Sequence, residues 1–103
     1  MVRAILIDPV EGIVSYAVVP DNWADIRRKF EMNKLVRVAT LPKGDNVYVA
    51  EEEKDSKARF RLGGSKILAG YGLVVGKRGD FGLICDALTS ADDVASLTEF
   101  NPT

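Results

Sequence analysis

Lys57, Arg59 and Arg61 recur at every second position of Lys57-Ala-Arg-Phe-Arg-Leu62, the spacing that places alternate side chains on one face of a strand. Ala58, Phe60 and Leu62 then enter the core. Three like charges in a row repel each other unless negative charge lies opposite. Two sources are open. One is internal, Glu51 to Glu53 or Asp86 on a neighbouring strand; the other is the phosphates of a ligand. Lys66, Lys77 and Arg78 extend the same basic stretch, and Tyr71 offers a ring on which a base can stack. These seven residues are the candidate anion-binding set, suited to a nucleotide-like signal or to nucleic acid.

Charge is unevenly distributed around that set. Residues 57 to 78 carry six Lys or Arg and no acid, whereas residues 79 to 103 carry five acids and no base. The net charge of −1 nevertheless argues against a wholly basic nucleic-acid binder.

Other chemistries lack their residues. The chain has no histidine, so the commonest general base near neutral pH is missing, and a Ser-His or Cys-His pair cannot form within it. One cysteine and no histidine leave no zinc site and no intrachain disulfide. The consecutive Glu51, Glu52 and Glu53 do not follow EF-hand spacing. Gly70, Gly72 and Gly76 are spaced one residue too widely for a dinucleotide fingerprint, and strand formers follow them where a helix must start. Gly76-Lys77 is followed by Arg78, not Ser or Thr, so it is not a phosphate loop. Arg78-Gly-Asp80 spells an integrin-type tripeptide that reads as coincidence. No catalytic residue and no cofactor are assigned.

The elements that must position the basic set form one domain of 103 residues, enough to bury a core unaided. Val2 to Ile7 and Ile13 to Val19 read as a hairpin about the turn Asp8-Pro-Val-Glu-Gly12. Both faces of its second strand are apolar, which predicts a central place in the sheet. Asp21 is the expected N-cap of a short helix whose Trp23, Ile26 and Phe30 form one stripe, ending near Asn33. Lys34 to Leu41 and Asn46 to Ala50 make a second hairpin about Pro42 to Asp45. Glu51 to Ser56 is a charged loop.

Seven of the nine glycines fall between Gly63 and Gly82 and break that region into short strands and turns: Ala58 to Leu62, Lys66 to Ala69 and Gly72 to Val75. A turn from Gly76 to Asp80 leads into an expected strand from Phe81 to Leu88, with Phe81, Leu83, Cys85 and Ala87 on one face and Cys85 buried as a small hydrophobe. Ser90 caps a helix running from Ala91 to about Glu99. Hairpins with two short helices give an α+β fold built mainly on antiparallel sheet.

Val2-Arg-Ala-Ile-Leu-Ile-Asp-Pro9, Leu41-Pro-Lys-Gly-Asp-Asn-Val-Tyr-Val49 and Gly70-Tyr-Gly-Leu-Val-Val-Gly76, in that order, resemble a family of small uncharacterised proteins of bacteriophages, plasmids and bacteria. The resemblance implies a mobile-element accessory role and brings no catalytic residues with it. The reading is therefore a non-enzymatic protein that engages a host protein, with a phosphorylated ligand as the alternative. No secretory segment opens the chain and no apolar run reaches membrane-spanning length, so it reads as cytoplasmic, with no membrane partner. Open strand edges make a homodimer plausible.

Overall fold

The first hairpin forms as its turn chemistry dictates. The Asp8 carboxylate accepts from the N–H groups of Val10 and Glu11 at 3.0 and 3.1 Å. Gly12 takes the left-handed φ of +70° and donates to the Asp8 carbonyl. Strands β1 (Val2–Asp8) and β2 (Ile13–Val19) then pair antiparallel from Val2 opposite Val19 to Asp8 opposite Ile13. The computed structural model describes residues 1–30, 34–50, 57–63, 66–77 and 83–101. Within them follow helix α1 (Trp23–Lys29), strands β3 (Leu35–Thr40), β4 (Asn46–Ala50), β5 (Arg59–Leu62), β6 (Leu68–Ala69) and β7 (Gly72–Val75), helix α2 (Ala91–Leu97) and strand β8 (Thr98–Phe100).

The strands form two antiparallel sheets, one of five strands in the order β2-β1-β7-β4-β3 and one of three in the order β6-β5-β8. With the two helices this is an α+β fold. Alternation divides the large sheet into two apolar faces. On one, Ile5, Ile7, Val47 and Val74 pack against Phe60, Leu62 and Leu68 of the small sheet and Ala91 and Val94 of α2. On the other, Ala4, Val19, Leu73 and Val75 pack against Ile26, Trp23 and Phe30 of α1. Trp23 and Tyr48 meet with ring centroids 4.5 Å apart, so the aromatic stripe of α1 is core.

Gly72 lies between the sheets, where a Cβ would stand 2.7 Å from the Phe60 ring and 3.2 Å from Ile7. Its missing side chain lets the two layers close.

Residues 83–90 form a strap, not the expected strand. Its backbone is spent on other elements: Ile84 donates to the Asp21 carbonyl, Ala87 to that of Arg3, and the Cys85 carbonyl accepts from Gly76. The Asp86 carboxylate accepts from the Arg3 N–H at 2.8 Å. The strap thus wedges between the start of β1 and the end of β7, and a Cβ on Gly76 would overlap the Asp86 carbonyl oxygen. This geometry breaks the expected alternation, in which Leu83, Cys85 and Ala87 share one buried face. Ile84 and Ala87 are buried, whereas Leu83 and Cys85 are exposed. Phe81 and the turn to Asp80 lie outside the described residues.

Three further expectations are corrected. Strand β2 is an edge, not a central strand, with Ile13, Tyr16 and Val18 about half exposed. The N-cap of α1 is Asn22, whose side chain accepts from Asp25 N–H at 2.9 Å, while Asp21 serves the strap. Helix α2, capped by Ser90 as expected, stops at Leu97. There Thr98 turns its hydroxyl to the Val94 carbonyl at 2.7 Å and starts β8.

Asp45 fixes the strap to the second hairpin. It is fully buried, and its carboxylate accepts from Leu88 N–H (2.9 and 3.0 Å to its two oxygens) and Thr89 N–H (2.7 Å). Asp45→Ala leaves two donors without their acceptor, and the expected cost is about 2 to 4 kcal/mol. Urea unfolding should show a lower midpoint with an unchanged slope. A loss below about 0.5 kcal/mol would make this carboxylate dispensable.

Candidate functional site

Strand pairing decides what each basic residue of the 57–78 stretch can do. Along β5, Phe60 and Leu62 are buried while Arg59 is exposed and Arg61 partly so, following the period of two. Arg61 stands directly opposite Glu99 of β8. Its guanidinium donates to one Glu99 oxygen from Nε at 3.1 Å and from a terminal nitrogen at 2.8 Å. The negative charge that Arg61 requires is therefore internal, and it comes from β8, which begins where the expected helix would run on to Glu99. Asp86 instead serves Arg3 of β1.

Arg59 is placed differently. Its partner across the β5–β6 pair is Ala69, and its carbonyl accepts from Asn101 beyond the end of β8. Arg59 and Lys66 both line a cleft of about 310 Å³ with Val36, Val38, Val49, Ala50, Ile67, Leu68 and Ala69. This cleft lies where the β3–β4 side of the large sheet faces β5 and β6. Both cations also have interactions within the chain, so an arriving anion shares them with neighbouring groups.

The β3 wall owes its shape to a bulge. Pairing between β3 and β4 shifts between Arg37 and Ala39, and both Val38 and Ala39 pack towards the core face.

The remaining candidates do not converge on this cleft. Lys57 is exposed ahead of β5. Tyr71 is half-buried beside a different cavity with Leu6, Phe30, Leu35 and Tyr48. That cavity, of about 10 Å³, is at the lower limit for one water and has no room for a base. Lys77 follows β7, and its side chain lies across Gly44, where a Cβ would collide with it. Gly44 itself has φ of +96°. Arg78, like Glu51 to Glu53, lies outside the described residues.

The structure thus gathers two of the seven basic-set residues, Arg59 and Lys66, and adds seven apolar ones that the sequence reading did not assign to a site. Their one sequence signal is the alternation of Val36 with Val38 and of Val47 with Val49, which any buried strand pair displays. The site offers an aliphatic body with positive charge beside it. It can hold and orient a ligand; among the described residues that line it there is no nucleophile paired with a base. Among the described residues no group of three potential metal ligands occurs, and no helix is long and apolar enough to cross a membrane.

No family model, curated protein or solved structure matches the chain.

Because the Arg61 and Glu99 side chains are 33% and 58% exposed, their pair contributes less than about 1 kcal/mol. Arg61→Gln and Glu99→Gln should each shift the unfolding midpoint slightly, and the double variant should cost less than the sum of the two. Full additivity in that double-mutant cycle would show the pair to be energetically silent.

Proposed function

We propose that this domain works by binding, and that the ligand is a small molecule carrying an anionic group, held in the cleft between the two sheets. One observation carries this reading: Arg59 and Lys66 border the same apolar cleft, and its volume of about 310 Å³ reaches the lower end of the range typical of small-molecule sites. An anion at the cations is stabilised by charge-assisted hydrogen bonds, and the apolar remainder of the ligand leaves water as it enters the cleft. The net charge of −1 suits a compact ligand better than a polyanion such as nucleic acid, whose binding draws on many cations at once.

The test compares the wild-type domain with the Arg59→Gln/Lys66→Gln variant. Isothermal titration uses octanoate, adenosine monophosphate and inorganic phosphate as probes. At least one probe should bind the wild type, and the variant should bind that probe tenfold or more weakly. Binding that is indifferent to the double substitution, or no binding by any probe, overturns the reading.

A second reading keeps the mobile-element accessory role and the engagement of a host protein. What favours it is the uncharged edge strand β2, on which Ile13 is 52% and Val18 58% exposed, with Val10 beside them at 62%. Unpaired edges of this kind are templates for strand addition. One end of that edge is already covered, since the Lys29 ammonium donates to the Val18 carbonyl at 3.0 Å. If this surface is the interface, a host protein captured in fixed stoichiometry by the wild type should be lost with Ile13→Lys/Val18→Lys and retained with Arg59→Gln/Lys66→Gln. The opposite pattern would remove β2 from consideration.

A further inference from the structure

We infer that the ligand of the inter-sheet cleft is a free alkyl carboxylate of medium chain length. The inference rests on the anion-binding reading of that cleft and narrows it to one class of ligand. The basic stretch by itself suggests phosphates and nucleotides, but the walls of the cleft do not suit a base. Val36, Val38, Val49, Ile67 and Leu68 are aliphatic, and Ala50 and Ala69 add only methyl groups. Among the described residues no aromatic ring lines the cleft on which a base could stack. Tyr71, the ring that the basic stretch offers for stacking, borders the cavity with Leu6, Phe30 and Leu35 instead.

Polar recognition points the same way. A nucleobase presents several donors and acceptors that need partners once they leave water, and leaving them unpaired is costly. The described side chains around the cleft that carry polar atoms are those of Arg59 and Lys66. Both are donors only, so they satisfy an anion and offer nothing to the donor edge of a base. An alkyl chain makes no such demand. Its methylenes gain by leaving water for a wall of branched aliphatic side chains.

Size sets the length. At roughly 30 Å³ for each water-sized volume, the cleft of about 310 Å³ holds about ten of them. With the carboxylate at the cations, that admits a chain of about eight to ten carbons.

The experiment is a calorimetric series from butanoate to dodecanoate, each below its micelle concentration, with adenosine monophosphate alongside. Affinity should rise about threefold to fourfold for each added methylene and level off at about eight to ten carbons. Ile67→Gln, an exposed position on the cleft wall, should weaken octanoate about fivefold or more and butanoate much less. Leu83→Gln, an exposed position on the strap, should change neither. A flat series, or adenosine monophosphate binding more tightly than octanoate, overturns the alkyl carboxylate while leaving an anion site in place. No binding by any of these probes overturns both readings. A rise with chain length that Arg59→Gln/Lys66→Gln leaves intact overturns the assignment to this cleft.

Discussion

The arrangement of this fold depends on a buried carboxylate whose hydrogen-bond donors, among the described residues, are backbone N–H groups. Asp45 is fully buried at the end of the β3–β4 turn and is satisfied by two backbone N–H groups more than forty residues away. Burying a polar group is costly unless hydrogen bonds compensate for lost water, so the turn and the strap are tied together thermodynamically. The turn is shaped to present it. Gly44 takes a left-handed φ and donates to the Leu41 carbonyl, and Leu41 donates to the Asp45 carbonyl at 2.7 Å. Leu88 and Thr89 immediately precede the Ser90 cap, so the same carboxylate sets where α2 begins. Through α2 it also sets where β8 is delivered to β5.

That chain of constraints explains why the gap between the sheets is closed on one side and open on the other. On the β2 side, α2 lies over the large sheet. Its Ala91 and Val94 are buried, and the Ala91 N–H donates to the Tyr16 hydroxyl at 3.1 Å. Arg3 adds its guanidinium over the Tyr16 ring at 4.9 Å. On the β3 side no described helix covers the sheet, and β6 is only two residues long. Val36, Val38 and Val49 consequently line a cleft there and are only partly buried. The cleft results from covering a five-stranded sheet with a three-stranded one and placing the helix at one end.

Local chemistry made much of this legible in the sequence. The Asp8 and Gly12 turn, the α1 stripe and the Ser90 cap each depend on contacts within a few residues, and each is where turn and capping rules place it. The readings that missed depend on partners remote in sequence. Strand β2 is apolar on both faces because one face meets α1 and the other α2, which mimics a central strand. The β8 segment Thr98-Glu-Phe100 follows α2 with no glycine or proline to mark the boundary; its sequence signal is the β-branched Thr98 and the alternation with Phe100. Cys85 reads as buried only if residues 81–88 form a regular strand, and the demands of Asp21, Arg3 and Asp45 on that backbone prevent it.

The same distinction explains why the stripe of Lys57, Arg59 and Arg61 does not act as a unit. Its spacing is a local fact, but the fate of each charge is set by the strand alongside. Arg61 is matched across the β5–β8 pair by Glu99, and a residue so engaged adds little attraction for an external anion. Arg59, two positions earlier, has the neutral Ala69 across from it and the neutral Asn101 bonded to its backbone. A one-residue slip of β8 would move Glu99 off Arg61 and turn every side chain of that short strand to the other face. Phe100, now packed against the core, would leave it, so burial of this ring holds the register. The packing of Phe100 thereby keeps Glu99 opposite Arg61 within the sheet.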